Sequence, residues 1–195
     1  MIESKKGIPL AEAAYEVELA SRRLALLHLA FAKTLVQEFG PSKGKQLVAK
    51  AIKAYGRMIG EQVRKDVLAQ GLEPTPENYG VGTSRSLPNI GMHERVEKVE
   101  VEGKKRLRAY GCVMARVWNE YGENELGRLY CYVDPAKYMA YNPDYKLAHA
   151  KVLPGGDAYC EFCIRPTSAK ERADFASEDV DWLYIDYCGE KDKGK

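Results

Sequence analysis

Two apolar stripes at helical spacing fill the first part of this chain, and a glycine-proline pair separates them. Leu10, Ala13, Ala14, Val17, Leu24, Leu27, His28, Phe31 and Leu35 recur with the helical period, which predicts one helix over residues 9–39 with Pro9 in its first turn. Gly40-Pro41 stops that helix, because proline disfavours helical backbone at the residue before it. Ser42 is then expected to cap a second helix to about Gln70, carried by Leu47, Val48, Ala51, Ile52, Tyr55, Ile59, Val63 and Val67 and ended by Gly71. Gly56 and Gly60 lie one turn apart inside it. Each glycine costs a helix about 1 kcal/mol against alanine, so close packing against another helix is the expected compensation.

Beyond Gly71 the pattern changes. Residues 73–92 hold three prolines and several glycines, which argue against regular structure and suggest a linker or lid. Residues 94–118 alternate apolar and polar around a Glu102-Gly103-Lys104 turn, as a hairpin does. Residues 119–130 suit a short helix. Asp134-Pro135 can open another, with Asp134 as its cap. Strands are expected over Lys146–Leu153 and Tyr159–Arg165, joined through Pro154-Gly155-Gly156-Asp157. The segregation of helices from strands predicts an α+β fold: two long N-terminal helices packed on a mostly antiparallel sheet with short helices. The 195 residues suit a single domain, divided into a helical part at 1–72, the loop at 73–92, a sheet part at 93–188 and a charged tail at 189–195.

A net charge of only +2 gives no electrostatic case for nucleic acid as a partner. The first residues lack the continuous apolar core of a signal peptide, and no run approaches the ~20 apolar residues of a membrane span. Five cysteines, an odd number, fit a reducing compartment better than a disulfide framework. A cytoplasmic protein with no membrane partner is therefore expected. Phosphate-loop, dinucleotide, GxSxG and HExxH patterns are absent from the sequence, and the three histidines, His28, His93 and His149, share no metal-ligand spacing. Cys160-x-x-Cys163 invites a zinc reading. A strand points residues three apart to opposite faces, however, and no second such pair exists. Neither metal nor cofactor is expected.

Polar groups recur among apolar ones between Cys112 and Phe162: Glu125-Leu126-Gly127, Tyr130-Cys131, Asp134, Asn142-Pro143, Gly156-Asp157, Cys160 and Phe162. Their order and spacing resemble the L-2-amino-thiazoline-4-carboxylic acid hydrolase family, with its ELGxLxCxxD element, asparagine-proline turn and GDxxCxF strand. The helices-then-sheet layout is similar, more distantly, to vinyl-reductase-type small-molecule-binding domains. The first resemblance implies hydrolysis of a cyclic isothiourea that bears a carboxylate, by attack on the carbon between nitrogen and sulfur.

Such chemistry needs a nucleophile or a base, a carboxylate for the cationic amidine, and a cation for the substrate carboxylate. Cys131 is the first candidate nucleophile and Cys112 the second, although cysteine is also among the most buried residue types. Asp134 and Asp157 are candidate carboxylates, with helix capping and turn formation as the plain structural alternatives. Glu125 is a candidate base or structural acceptor. Asn142 can stabilise negative charge or simply shape the turn before Pro143. Arg116, Arg128 and Arg165 can meet a carboxylate, and Tyr130 and Cys160 complete the expected ligand-binding set. A hydrolase acting on a C–N or C–S bond is thus the leading expectation. A non-catalytic small-molecule sensor is the alternative. The long helices and many tyrosines make a homodimer an open expectation.

Overall fold

The computed structural model describes residues 7–82, 86–178 and 181–188; the charged tail expected at 189–195 lies outside them. Helix α1 spans Leu10–Phe39 and α2 spans Pro41–Ala69, packed side by side. Gly40 takes a left-handed φ of 78° between them, and Pro41 opens α2. Ser42 therefore sits inside the first turn and not at the cap, a correction that follows from proline's fitness for the first helical position. The buried face of α1 is also displaced from the expected stripe. Ser21, Ala25, His28, Leu29 and Ala32 are buried, while Leu10, Leu27 and Phe31 are exposed. This helix is apolar on two sides, and periodicity alone cannot say which side meets the core.

The loop after α2 carries a 3-10 turn at Pro76–Val81, where regular structure was not expected. Tyr79 anchors it, stacked on Tyr138 at 4.3 Å and edge-on to Tyr141 at 5.1 Å. Strands β1 (Arg95–Val101) and β2 (Lys104–Tyr110) form the expected hairpin. Its two turn residues, Glu102 and Gly103, both have positive φ, the twist that tight hairpins require. The alternation predicted to continue through Val117 ends at Tyr110. Gly111 turns the chain with φ 62°, and α3 runs from Val113 to Glu120, burying Met114, Val117 and Trp118. Then come α4 (Asn124–Cys131) and α5 (Val133–Tyr141).

Strand β3 (Tyr145–Lys151) and strand β4 (Cys160–Pro166) complete one antiparallel sheet in the order β1-β2-β4-β3. Helix α6 (Ala169–Ala176) had no counterpart in the apolar pattern. Its signal was a capping box, Ser168 with Glu171, in a stretch with little apolar periodicity. The architecture is the expected α+β one, with two long N-terminal helices.

α5 is the structural centre. It is buried at almost every position, lying between α2 and β3. The two α2 glycines allow this. A Cβ on Gly56 would stand 2.4 Å from the Ala136 Cβ, and one on Gly60 only 2.1 Å from the Lys137 carbonyl oxygen. The expected glycine-mediated helix contact is thus the α2–α5 contact, and it sets the depth at which the first turn of α5 sits.

Candidate functional site

One face of the sheet forms the floor of a cavity of about 460 Å³. Leu147 and His149 from β3, Cys160 and Phe162 from β4, Leu107 and Ala109 from β2 and Val96 from β1 line it. The roof comes from Tyr55 and Ile59 of α2, Met114 and Trp118 of α3, Tyr130 and Cys131 of α4, and Val133, Asp134 and Lys137 of α5. Residues 86–93 close one side through Ser86, Leu87, Asn89, Met92 and His93. The volume falls in the range of small-molecule sites, about 300–1,000 Å³, and such sites are mostly apolar with a few converging polar groups.

Those polar groups centre on Asp134. It stands in the first turn of α5, and Tyr132 holds the cap position with no side-chain cap bond, so the expected capping role is not used. Its Oδ1 meets Lys137 Nζ at 2.5 Å, one turn along the helix. Its Oδ2 lies 3.5 Å from His149 Nε2. His149 is held from behind by Asp186, whose carboxylate accepts from the His149 backbone N–H at 2.8 Å and stands 2.9 and 3.0 Å from its Nδ1. A carboxylate only accepts, so Nδ1 carries a proton, and Nε2 faces the Asp134 side.

The Asp186 carboxylate is fully buried and also binds the Arg128 guanidinium. Burial alone would raise its carboxyl, but His149 and then Arg128 outweigh that and hold it below the usual carboxylate value. Asp186 reaches this place on a strap, residues 181–188. Lys146 Nζ donates to the Ile185 carbonyl at 2.7 Å, and a disulfide joins Cys163 of β4 to Cys188. The expectation that the thiols stay unpaired therefore fails for two of the five. Partners 25 residues apart in sequence, with Cα atoms 5.9 Å apart, are a tertiary fact that spacing does not announce. As expected for a strand, Cys160 and Cys163 take opposite faces: one lines the cavity and the other forms the bridge.

The three remaining thiols, Cys112, Cys131 and Cys160, all line the cavity. Burial raises each of them: Cys160 to about 12, Cys131 well above the ordinary thiol value with Arg128 opposing, and Cys112 upward against two backbone N–H contacts. They stand as neutral thiols. His93 also faces the cavity; burial lowers its pKa, and its Nδ1 has no hydrogen-bond partner among the described residues.

Of the residues singled out from sequence, Cys112, Cys131, Asp134, Cys160 and Tyr130 come together here. Arg128 lies behind the site, committed to Asp186 and stacked on Tyr132. The others stand elsewhere. Glu125 is exposed and paired with Lys45 at the surface. Asn142 donates to the Pro74 carbonyl and accepts from Asp144 N–H, so it shapes the turn. Asp157 accepts from Val152 N–H in the β3–β4 loop. Arg116 pairs with Glu18, and Arg165 sits on the sheet face away from the cavity.

His93, Lys137, His149 and Asp186 were not foreseen as a group. Only the Asp134–Lys137 spacing of three was visible in advance. His28, expected in the core, is there, with Nε2 2.8 Å from the Leu126 carbonyl. Among the described residues no cluster of three metal-ligating side chains occurs, and no helix is long and apolar enough to cross a membrane.

A family model described as L-2-amino-thiazoline-4-carboxylic acid hydrolase matches residues 20–164, from within α1 to within β4. No curated protein and no solved structure matches the chain.

Proposed function

The chain belongs to the L-2-amino-thiazoline-4-carboxylic acid hydrolase family, and from that premise we propose that it hydrolyses a small cyclic amidine or isothiourea of the 2-amino-thiazoline-4-carboxylate class. The observation that carries the proposal is Asp134 between Lys137 and His149 in a mostly apolar cavity. Such a substrate is a zwitterion. Asp134 takes its amidinium, and Lys137 takes its carboxylate, so each charge of the resident pair meets its opposite on the ligand. In a water-poor site such contacts are stronger than in bulk solvent.

His149 is the base. With Nδ1–H fixed on Asp186, Nε2 removes a proton from water as the oxygen attacks the ring carbon between nitrogen and sulfur. The amidine C=N becomes a single bond in the tetrahedral intermediate. That intermediate collapses by breaking the carbon–sulfur bond; the imidazolium returns its proton to the departing sulfur, and the hydroxyl proton leaves to solvent as the carbonyl forms. The product is an N-carbamoyl amino acid with a free thiol. Asp134 keeps the amidine protonated and oriented, and a protonated amidine carbon is the more electrophilic target for the attacking oxygen. The water route is preferred over attack by Cys131, because burial favours the protonated thiol.

The test is free-thiol release from L-2-amino-thiazoline-4-carboxylate by the purified protein, beside His149→Ala and Cys131→Ala. Release that is lost in His149→Ala and retained in Cys131→Ala supports this scheme. Loss in Cys131→Ala alone moves the nucleophile to the thiol. Binding without release by any form favours the sensor reading, to which the apolar walls and neutral thiols also lend themselves.

A further inference from the structure

The cavity is larger than a single-ring zwitterion needs, and the charged pair on its walls, Asp134 and Lys137, stands at one end beside His149. His149 lies on β3, an edge strand, with Asp134 and Lys137 above it. From His149 a registered row crosses the sheet: His149 faces Phe162, Phe162 faces Leu107, and Leu107 faces Lys98 on the opposite edge strand β1. Neighbouring strands are about 4.8 Å apart, so this row is about 14 Å long. Its two middle residues are apolar, and the adjoining row offers Cys160, Ala109 and Val96. The floor is therefore an apolar channel that leads away from the proposed reacting centre.

The channel does not end blindly. A second hollow of about 480 Å³ shares Asn89, His93, Val96 and Leu107 with the first. Lys98 lines it and is exposed at the β1 edge. The two hollows thus adjoin along these residues: the sheet floor is apolar at Phe162, Leu107 and Val96, Asn89 and His93 stand beside the junction, and charged side chains lie at the β1 end. Burying an apolar chain along such a floor stabilises a complex by about 0.8 kcal/mol per methylene.

Resting on the reading above, we propose that the substrate of this site is a ring carrying an apolar arm, with the ring at Asp134 and His149 and the arm along Phe162 and Leu107 toward the β1 edge. The compact amino-acid-like ring alone occupies only the β3 end.

The test compares 2-amino-thiazoline-4-carboxylate with its derivatives bearing a butyl or hexyl chain on the exocyclic nitrogen. For each, kcat/KM is measured on the wild type and on Leu107→Trp, and affinity by calorimetry on His149→Ala. The expected result is a gain of about tenfold or more from the ring alone to the hexyl derivative, with the hexyl-to-unsubstituted ratio collapsing in Leu107→Trp. A hexyl derivative that neither binds more tightly nor reacts faster overturns the proposal, whether or not the bare ring is turned over. Arm-dependent affinity without any turnover leaves the arm site standing and removes the hydrolase reading alone.

Discussion

An aspartate just ahead of a proline at a helix start has two uses open to it. It can cap the helix, or it can project from the first turn and leave capping to others. In this chain the helix begins two residues earlier than the aspartate-proline signature implies, at Val133 with Tyr132 at the cap, so the Asp134 carboxylate is free to meet Lys137 and His149. Asp134→Asn is therefore expected to lower kcat/KM by about 10²–10³-fold, the scale for losing one preorganised electrostatic contact. Steady-state kinetics on protein shown folded by circular dichroism would check this. The cavity thiols make a second prediction. Because burial raises Cys112, Cys131 and Cys160, with Cys160 near about 12, they remain protonated at pH 8. Iodoacetamide should modify them slowly in the native protein and rapidly in urea, as read by mass spectrometry; fast native labelling of Cys131 would restore it as a nucleophile. Tyr130, Cys131 and Asp134 were legible as candidates because they fall in one short motif, and the structure places all three on the cavity wall. His149 was not, since its partners Asp134 and Asp186 lie on other elements and no local spacing links them.

At the scale of elements, the α2–α5 contact bears most directly on the site. Gly60→Ala places a methyl against the Lys137 carbonyl oxygen, which is backbone and cannot swing aside. The helix-propensity gain of about 1 kcal/mol is outweighed, and a net loss of about 1–3 kcal/mol is expected in urea denaturation, the usual cost of overpacking. Activity should fall with it, because α5 carries both Asp134 and Lys137. Gly71→Ala, at a left-handed position with nothing near its added methyl, should lose stability without that loss of activity. The glycine pair was readable as a packing device from spacing alone. Its partner was not, nor was the break at Gly111, where an alternating pattern continues in sequence after the backbone has turned into α3.

Across the whole molecule, the strap at 181–188 closes the back of the site. Cys188→Ser removes a link spanning 25 residues, for which loop-closure entropy gives about 3–4 kcal/mol. The measurable consequences are a lower midpoint in urea and faster hydrogen exchange in the strap. Lys146 and the Arg128–Asp186–His149 contacts still oppose full release. Acid sensitivity follows from Asp186. Its folded-state pKa lies below its unfolded value near about 3.9, so its stabilisation is complete above that range. The contribution is lost as pH falls through the depressed folded value. Asp186→Asn should therefore be less stable than wild type at pH 7, and the difference between the two should shrink on acidification; thermal melts from pH 7 to pH 2 read this directly.

Local information determined a good deal of this protein. Two long helices, the Glu102-Gly103 hairpin, the glycine contact surface and the α+β class follow from periodicity and turn chemistry, which act over a few residues and are written in consecutive positions. Tertiary structure decided the rest. Which side of α1 is buried, that Asp134 faces a cavity, that Cys163 meets Cys188, and that Asp186 stands behind His149 all depend on contacts between elements distant in the chain. Such contacts are selected by packing and desolvation of the whole fold, energies that no short window of sequence contains.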